Sequence, residues 1–101
     1  MSAERRSSPR VPVRLLVQHQ SQTDAAPELD YATDLSEGGL FIRTTRPATQ
    51  NATIHVQFSP SKNSQLGDAF CRVARVTPDG MAAAFLRVDD ATARALRTAL
   101  E

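Results

Sequence analysis

Short segments in which apolar and polar residues alternate, separated by turn-forming residues, constrain the fold of this chain most strongly. The first segment runs from Val11 to Gln18 and carries valine or leucine at every odd position. A period of two residues is typical of a β-strand with one buried face. Pro12 indicates an edge position at the start of this strand. The alternation therefore predicts a mainly β fold.

The same pattern predicts five further strands and one helix. In the second strand, Leu29, Tyr31 and Thr33 share a face, and a polar loop at 20–27 precedes it. The remaining strands are predicted at 40–44, 53–58, 69–77 and 81–88, and the facing of 69–77 stays open. Asp89 or Asp90 can cap a terminal helix over 90–100. Turn-separated strands at this spacing indicate a small antiparallel barrel or sandwich, with the helix covering one open end.

The length of 101 residues predicts one domain. We expect a flexible N-terminal arm at 1–10 and a single domain at 11–101. No apolar run approaches the roughly 20 residues that span a bilayer, and no apolar stretch follows Arg5 and Arg6 as in a secretory signal. Cys71 is the only cysteine, which excludes an intrachain disulfide. We therefore expect a cytoplasmic protein without membrane insertion.

The formal net charge of +1 hides an uneven distribution. Residues 1–14 carry four arginines and one glutamate, whereas residues 20–40 carry five carboxylates and neither lysine nor arginine. A general nucleic-acid binder needs a broad basic surface. The charge pattern therefore disfavours nucleic acid as a partner, although a small nucleic-acid-binding barrel remains a rival that the basic arm favours.

One polar turn has the composition of a binding site. It reads Asp34-Leu35-Ser36-Glu37-Gly38-Gly39 and lies between apolar segments. Asp34 and Ser36 are two apart and point the same way if the strand continues into the turn. Gly38 and Gly39 suit a tight connection with exposed amides, because glycine tolerates positive φ and close backbone approach. These residue types are also ordinary turn formers, so the motif alone is a weak signal.

The basic N-terminal arm carries the second motif. Arg6 and Arg10 are four apart in a segment that Pro9 keeps extended, so they span roughly 13 Å. Alone, this arm is as consistent with a solvated basic tail as with a function. A carboxylate such as Asp34 accepts from N1–H and the exocyclic amine of guanine, and arginine pairs with O6 and N7 or with phosphate. Together the two motifs indicate a guanine nucleotide with phosphates.

Other chemistry finds little support in the sequence. His19, His55 and Cys71 lack the spacing of metal ligands. Ser36 has no histidine beside it and no Gly-x-Ser-x-Gly elbow, and the chain has no Gly-x-x-x-x-Gly-Lys loop. We therefore expect neither an enzyme nor a metal site nor a cofactor.

The two motifs together resemble the paired signature of PilZ domains. The residues Arg6-Ser7-Ser8-Pro9-Arg10 match an Arg-x-x-x-Arg arm, and Asp34 to Gly39 match an Asp/Asn-x-Ser-x-x-Gly turn. The segment at 80–86 is similar to the final strand of that family. The resemblance covers nearly the whole chain and implies a six-stranded antiparallel β-barrel with a C-terminal α-helix.

The resemblance also implies a receptor for the bacterial second messenger cyclic di-GMP, in motility or biofilm regulation. The implied ligand contacts are Arg5, Arg6, Arg10, Asp34, Ser36, Gly38 and Gly39, with Arg5 as an extra contact next to the motif. In such domains a ligand orders the mobile arm, and the changed surface is presented to a partner protein. An adaptor of the same fold that binds a protein and ignores nucleotide is the alternative.

Overall fold

The computed structural model describes residues 10–24, 26–60 and 66–100. Within these ranges the chain forms six antiparallel strands, closed into a barrel in the order β1-β2-β3-β6-β5-β4, and one helix. The strands are β1 Val11–Ser21, β2 Glu28–Ser36, β3 Gly39–Arg43, β4 Thr53–Phe58, β5 Gly67–Thr77 and β6 Gly80–Val88, and the helix is α1 Asp90–Ala99. The predicted six-stranded antiparallel barrel with a C-terminal helix is confirmed.

The strand boundaries differ from the predicted ones where pairing extends a strand. β1 continues to Ser21, inside the segment predicted as a loop, because Ser21 pairs with Ile54 of β4. β5 and β6 begin at Gly67 and Gly80, which pair with Phe58 and Thr77. Tertiary pairing therefore recruits polar and glycine residues that local sequence assigns to turns.

Pro12 does not mark an edge strand, because β1 closes the barrel by pairing with β4. In the described chain that pairing covers Val17 to Ser21, so Pro12 lies beyond it and removes no bond to β4. The pairing of β1 with β2 also shifts register between Pro12 and Leu15. The proline is accommodated at an irregular strand end, which is a tolerated position.

The core fills the barrel with side chains from every strand. Its members are Val17, Ala32, Leu35, Leu40, Ile42, Ile54, Val56, Phe58, Ala69, Cys71, Val73, Met81, Ala83 and, from α1, Leu96. The facing of β5 is now settled, because Ala69, Cys71 and Val73 are buried while Phe70 and Arg72 are exposed. The arginine side chains of β5 face solvent, because burying an unpaired charge is unfavourable.

A bulge in β2 changes which face its residues occupy. Ala32 and Leu35 are both buried although they are three apart, a spacing that a regular strand would place on opposite faces. The pairing of β2 with β3 shifts register between Ala32 and Asp34, which accounts for this spacing. Leu29 and Tyr31 do share a face, as predicted, and it is the solvent face.

The helix packs onto the barrel near the start of β5. Asp89 caps it by accepting the Thr92 N–H at 2.7 Å, and Leu96 enters the core. Thr92 is buried against Gly67, where a Cβ atom would overlap the threonine side chain. No helix in the described ranges has the length and apolar character needed to cross a membrane.

Candidate functional site

Cross-strand pairing sets the outward residues of β2, β3 and β6 side by side. Because side chains alternate between faces, every second row of paired residues points to solvent. The two outward rows are Asp34–Phe41–Ala82 and Ser36–Gly39–Ala84, and the inward row between them is Leu35–Leu40–Ala83. The predicted turn thus lies on the outer surface of the barrel, above a buried row.

The outward rows form the floor of a cleft of about 150 Å³. It is lined by Arg10, Asp34, Ser36, Gly38, Gly39, Leu40, Phe41, Ala74, Ala82, Ala83 and Ala84. Every predicted site residue that the structure describes therefore lines this single cleft. Arg5 and Arg6, the other two predicted contacts, lie outside the described residues, as does most of the predicted arm.

Ser36 shapes the turn with its own hydroxyl. The oxygen accepts the N–H of Gly38 at 3.2 Å, and the hydroxyl donates to the carbonyl of Gly39 at 3.3 Å. Such a local hydroxyl-to-backbone arrangement stabilises a turn without help from a ligand. Ser36 therefore has a structural role beside any contact it makes in the cleft.

The two glycines of the turn are there for different reasons. A Cβ atom on Gly39 would overlap the backbone of Ala83, so the close approach of β3 to β6 excludes any side chain. A Cβ atom on Gly38 would have no atom within 4 Å, although its carbonyl accepts the Phe85 N–H at 2.8 Å. Neither residue has a positive φ, so close approach at Gly39, and not left-handed backbone, is what requires glycine.

Small side chains on β5 and β6 keep the cleft open. Ala82 and Ala84 occupy the outward rows, and a register shift between Val73 and Arg75 brings Ala74 to the rim. Sequence reasoning did not find these residues. The run of three alanines at 82–84 is a signal for them, because alanine is the smallest side chain that a strand can place under a ligand.

The cleft carries charges of both signs over an apolar floor. Asp34 is half-buried, Arg10 is exposed, and Phe41 lies between Asp34 and Ala82 in the outward row. A carboxylate offers acceptors only and a guanidinium offers donors only. The arrangement can therefore bind a planar ligand that has donors on one edge and acceptors or negative charge on another.

The two histidines pair with carboxylates away from the cleft. His19 is buried and lies 2.9 Å from the Asp30 carboxylate, and His55 lies 2.8 Å from that of Asp68. Among the described residues no three His, Cys, Asp or Glu side chains converge as metal ligands would. Burial raises the pKa of the Cys71 thiol to about 12, so this cysteine is protonated at neutral pH.

The family of this chain is decided by a comparison of its sequence with models of known protein families. A model of the PilZ domain matches residues 4–101. The chain belongs to the PilZ domain family. A comparison with curated proteins finds no match.

A solved structure supports the fold of this PilZ domain. This chain is similar to the solved structure of the Bacillus subtilis inhibitor of motility, MotI/DgrA, with a TM-score of 0.76 and 16% sequence identity. The match covers 95% of this chain and 49% of that one, so the chain spans about half the length of the solved structure. At this identity the likeness concerns the fold alone.

Family membership confirms the resemblance seen in the sequence. PilZ domains are binding and adaptor domains and are not known as enzymes. In this PilZ domain the turn motif and the last residue of the arm motif meet in one cleft. Two motifs that lie more than twenty residues apart in the sequence are thus combined by the pairing of β1, β2 and β3.

Proposed function

We propose that this PilZ domain is a receptor for cyclic di-GMP and that the outer cleft holds one guanine of the ligand. The observation that carries the proposal is the convergence of Arg10, Asp34, Ser36, Gly38 and Gly39 on a single cleft. These residues belong to two separate motifs, and the pairing of Val11 with Leu35 brings the end of the arm motif next to the turn motif.

The chemistry of the cleft matches the edges of guanine. The Asp34 carboxylate is suited to accept from N1–H and the exocyclic amine, a pair of donors that adenine lacks on that edge. The Arg10 guanidinium is suited to a phosphate or to O6 and N7. Phe41 and the alanines offer an apolar surface to the base.

The size of the cleft supports including the arm in the proposal. Sites for whole ligands commonly measure about 300 to 1,000 Å³, and this cleft measures about 150 Å³. It accommodates a part of a cyclic dinucleotide, so the remaining base and the phosphates need further partners. Arg5 and Arg6 lie five and four residues before Arg10 and are the other cations of the arm. Ordering of residues 1–10 over the ligand follows as the proposed mechanism, in which the changed surface is read by a partner protein.

The likeness to an inhibitor of motility suggests the process that the receptor serves. We include motility control in the proposal on that ground alone. The alternative function, a protein adaptor that ignores nucleotide, is disfavoured because it gives no role to the charged side chains of Asp34 and Arg10 in the cleft.

Isothermal titration of the purified chain with cyclic di-GMP tests the proposal. We expect binding that GTP does not reproduce. Arg10→Ala should weaken it by roughly ten- to a hundredfold, since a charge-assisted hydrogen bond contributes about 1.5–3 kcal/mol.

Arg94→Ala is the matched control, because Arg94 is also exposed but lies on α1. It should leave the affinity unchanged within about twofold. Absence of binding by titration and by a second method would overturn the proposal in favour of the adaptor.

A further inference from the structure

Three large apolar side chains are exposed together on the outer face of the β1–β2 hairpin. Leu16, Leu29 and Tyr31 are 55%, 64% and 42% exposed. Leu16 pairs with Tyr31 across the strands, and Leu29 lies two residues before Tyr31 on the same face. A contiguous apolar group on a folded domain is a candidate interaction site, whereas single exposed side chains need no such explanation.

Two arginines flank this apolar group. The Arg14 guanidinium lies 4.7 Å from the centre of the Tyr31 ring, and Arg43 of β3 is the cross-strand partner of Tyr31. We name the set Arg14, Leu16, Leu29, Tyr31 and Arg43 the hairpin face. Neither arginine forms an ion pair within the part of the chain that the structure describes.

The two acidic residues on either side of Leu29 in β2 are paired with other side chains. Glu28 lies 3.6 Å from the Arg46 guanidinium, and Asp30 lies 2.9 Å from the His19 ring. Arg43 lines a pocket with Asp30 and Asp79, whereas Arg14 forms no ion pair within the described ranges. The hairpin face therefore presents an apolar centre with the positive charge of Arg14 beside it. Burial of such a face is favourable when the partner brings both apolar surface and carboxylates.

We propose that the hairpin face is a docking surface for a partner protein whose contact segment combines apolar side chains with Asp or Glu. Tyrosine and arginine are the residue types that most often dominate protein interfaces, and here they are stacked on each other. The stacked guanidinium is held in place before binding, which reduces the entropy lost when a carboxylate pairs with it.

Charge argues against three other occupants of the hairpin face. In a two-fold dimer of this chain, the same patch would meet itself and bring like-charged arginines together. Residues 1–9 carry two arginines and one glutamate, so the arm has the wrong charge to cover the face. Membrane-binding clusters have about four to eight basic residues, and the hairpin face has two.

The hairpin face adjoins the cleft along three strands. Tyr31 precedes Asp34 by three residues on β2, which corresponds to about 10 Å along the strand. Arg43 similarly follows Phe41 by two residues on β3, and Arg14 of β1 follows Arg10 by four residues. A partner on the hairpin face would thus lie beside a filled cleft. Only this ligand dependence rests on the proposed function, and docking itself can be tested without ligand.

Selection from a library of random peptides displayed on phage tests the docking proposal, with the immobilised full chain as bait. We expect enrichment of peptides that combine Asp or Glu with apolar residues. The best peptide is then synthesised with a fluorescent label, and its binding is followed by anisotropy with and without cyclic di-GMP. Leu29→Ser and Arg14→Glu should each weaken binding by about tenfold or more.

Matched controls separate the hairpin face from general surface effects. Leu86→Ser removes a leucine that is 58% exposed on β6, and Arg94→Glu reverses an exposed charge on α1. Both should leave peptide binding within about twofold, and circular dichroism should show all four variants folded. If cyclic di-GMP changes the affinity for the peptide, docking depends on the ligand. If the affinity for the peptide stays the same, docking is independent of the ligand.

Four results would overturn the docking proposal. The first is the selection of no peptides, or of peptides without acidic residues. The second is binding that Leu29→Ser and Arg14→Glu do not weaken, which would place the contact elsewhere. The third is a dimer in sedimentation velocity that Leu29→Ser dissociates, which would assign the face to a second copy. The fourth is co-sedimentation with phosphatidylglycerol vesicles that Leu29→Ser abolishes, which would assign it to a membrane.

Discussion

The inward and outward rows of β2, β3 and β6 are made by neighbouring residues and have different properties. The inward row, Leu35–Leu40–Ala83, is buried and packs in the core, and of its members Leu40 and Ala83 also border the cleft. The outward rows around Asp34 and Ser36 bring the polar groups of β2 to the cleft. The comparison shows that successive residues of a strand have different roles: one packs in the core and stabilises the fold, and the next exposes its side chain to the cleft. It also predicts that mutations on the two faces have separable effects.

The largest expected effect comes from a cavity in the inward row. Leu35 is 1% exposed, so Leu35→Ala should lower the free energy of unfolding by about 2–5 kcal/mol, as measured by chemical denaturation. Affinity for cyclic di-GMP should stay within about twofold at temperatures where the variant is folded.

The matched change in the outward row is Asp34→Asn, which keeps the shape of the side chain and removes its charge. Stability should change by no more than about 0.5 kcal/mol, and cyclic di-GMP should bind at least about tenfold more weakly in titration calorimetry. Equal destabilisation by Asp34→Asn and Leu35→Ala would show that the two faces are not separate.

Gly38 and Gly39 allow the same comparison within a single turn. Gly39→Ala forces a Cβ atom onto the Ala83 backbone and should cost about 1–3 kcal/mol in denaturation experiments. Gly38→Ala meets open space and should leave the unfolding midpoint unchanged. If the two variants were equally stable, the close approach of β3 to β6 would not be a constraint on the fold.

Ser36 should show an intermediate behaviour, because its hydroxyl both shapes the turn and lines the cleft. Ser36→Ala removes one donor and one acceptor and should cost about 1 kcal/mol of stability. Binding of cyclic di-GMP should weaken as well, since the turn loses its fixed shape. Ser36→Thr retains the hydroxyl and serves as the control, and a stability loss as large as that of Ser36→Ala would argue against the turn hydrogen bonds.

The last prediction concerns whether water reaches the buried Cys71, and its effect near neutral pH is the smallest because it appears only at alkaline pH. Burial raises the pKa of Cys71 from 9.0 to about 12, so the folded state favours the protonated thiol. This contribution to stability is complete below pH 9.0 and is lost as the pH rises from there towards about 12. The melting temperature of the wild type should therefore fall more steeply over this range than that of Cys71→Val. Parallel curves for the two proteins would mean that the thiol is reached by water.

The sequence predicted the parts of this molecule that depend on local pattern. Alternation identified the strands, Asp89 was recognised as a possible cap, and the turn motif grouped Asp34, Ser36 and Gly39, which line one cleft. Each of these depends on residues within a few positions of one another along the chain.

The features that the sequence did not predict depend on register between distant strands. Ala82 joins the cleft because it pairs with Phe41, and Ala74 joins it because β5 shifts register against β6. No local pattern encodes that pairing or that shift. The bulge after Ala32 similarly determines which residues of β2 face the core. A strand pattern specifies that two faces exist, and only the pairing specifies which residues share a face across strands.

Titration of the isotope-labelled chain with cyclic di-GMP, followed by two-dimensional NMR of the backbone amides, tests the central claim most directly. The account predicts that the largest shift changes occur at Arg10, at 34–41 and at 82–84, whereas the β4 amides at 53–58 stay in place. Shift changes centred on β4 or on α1, with the amides at 34–41 unmoved, would contradict it.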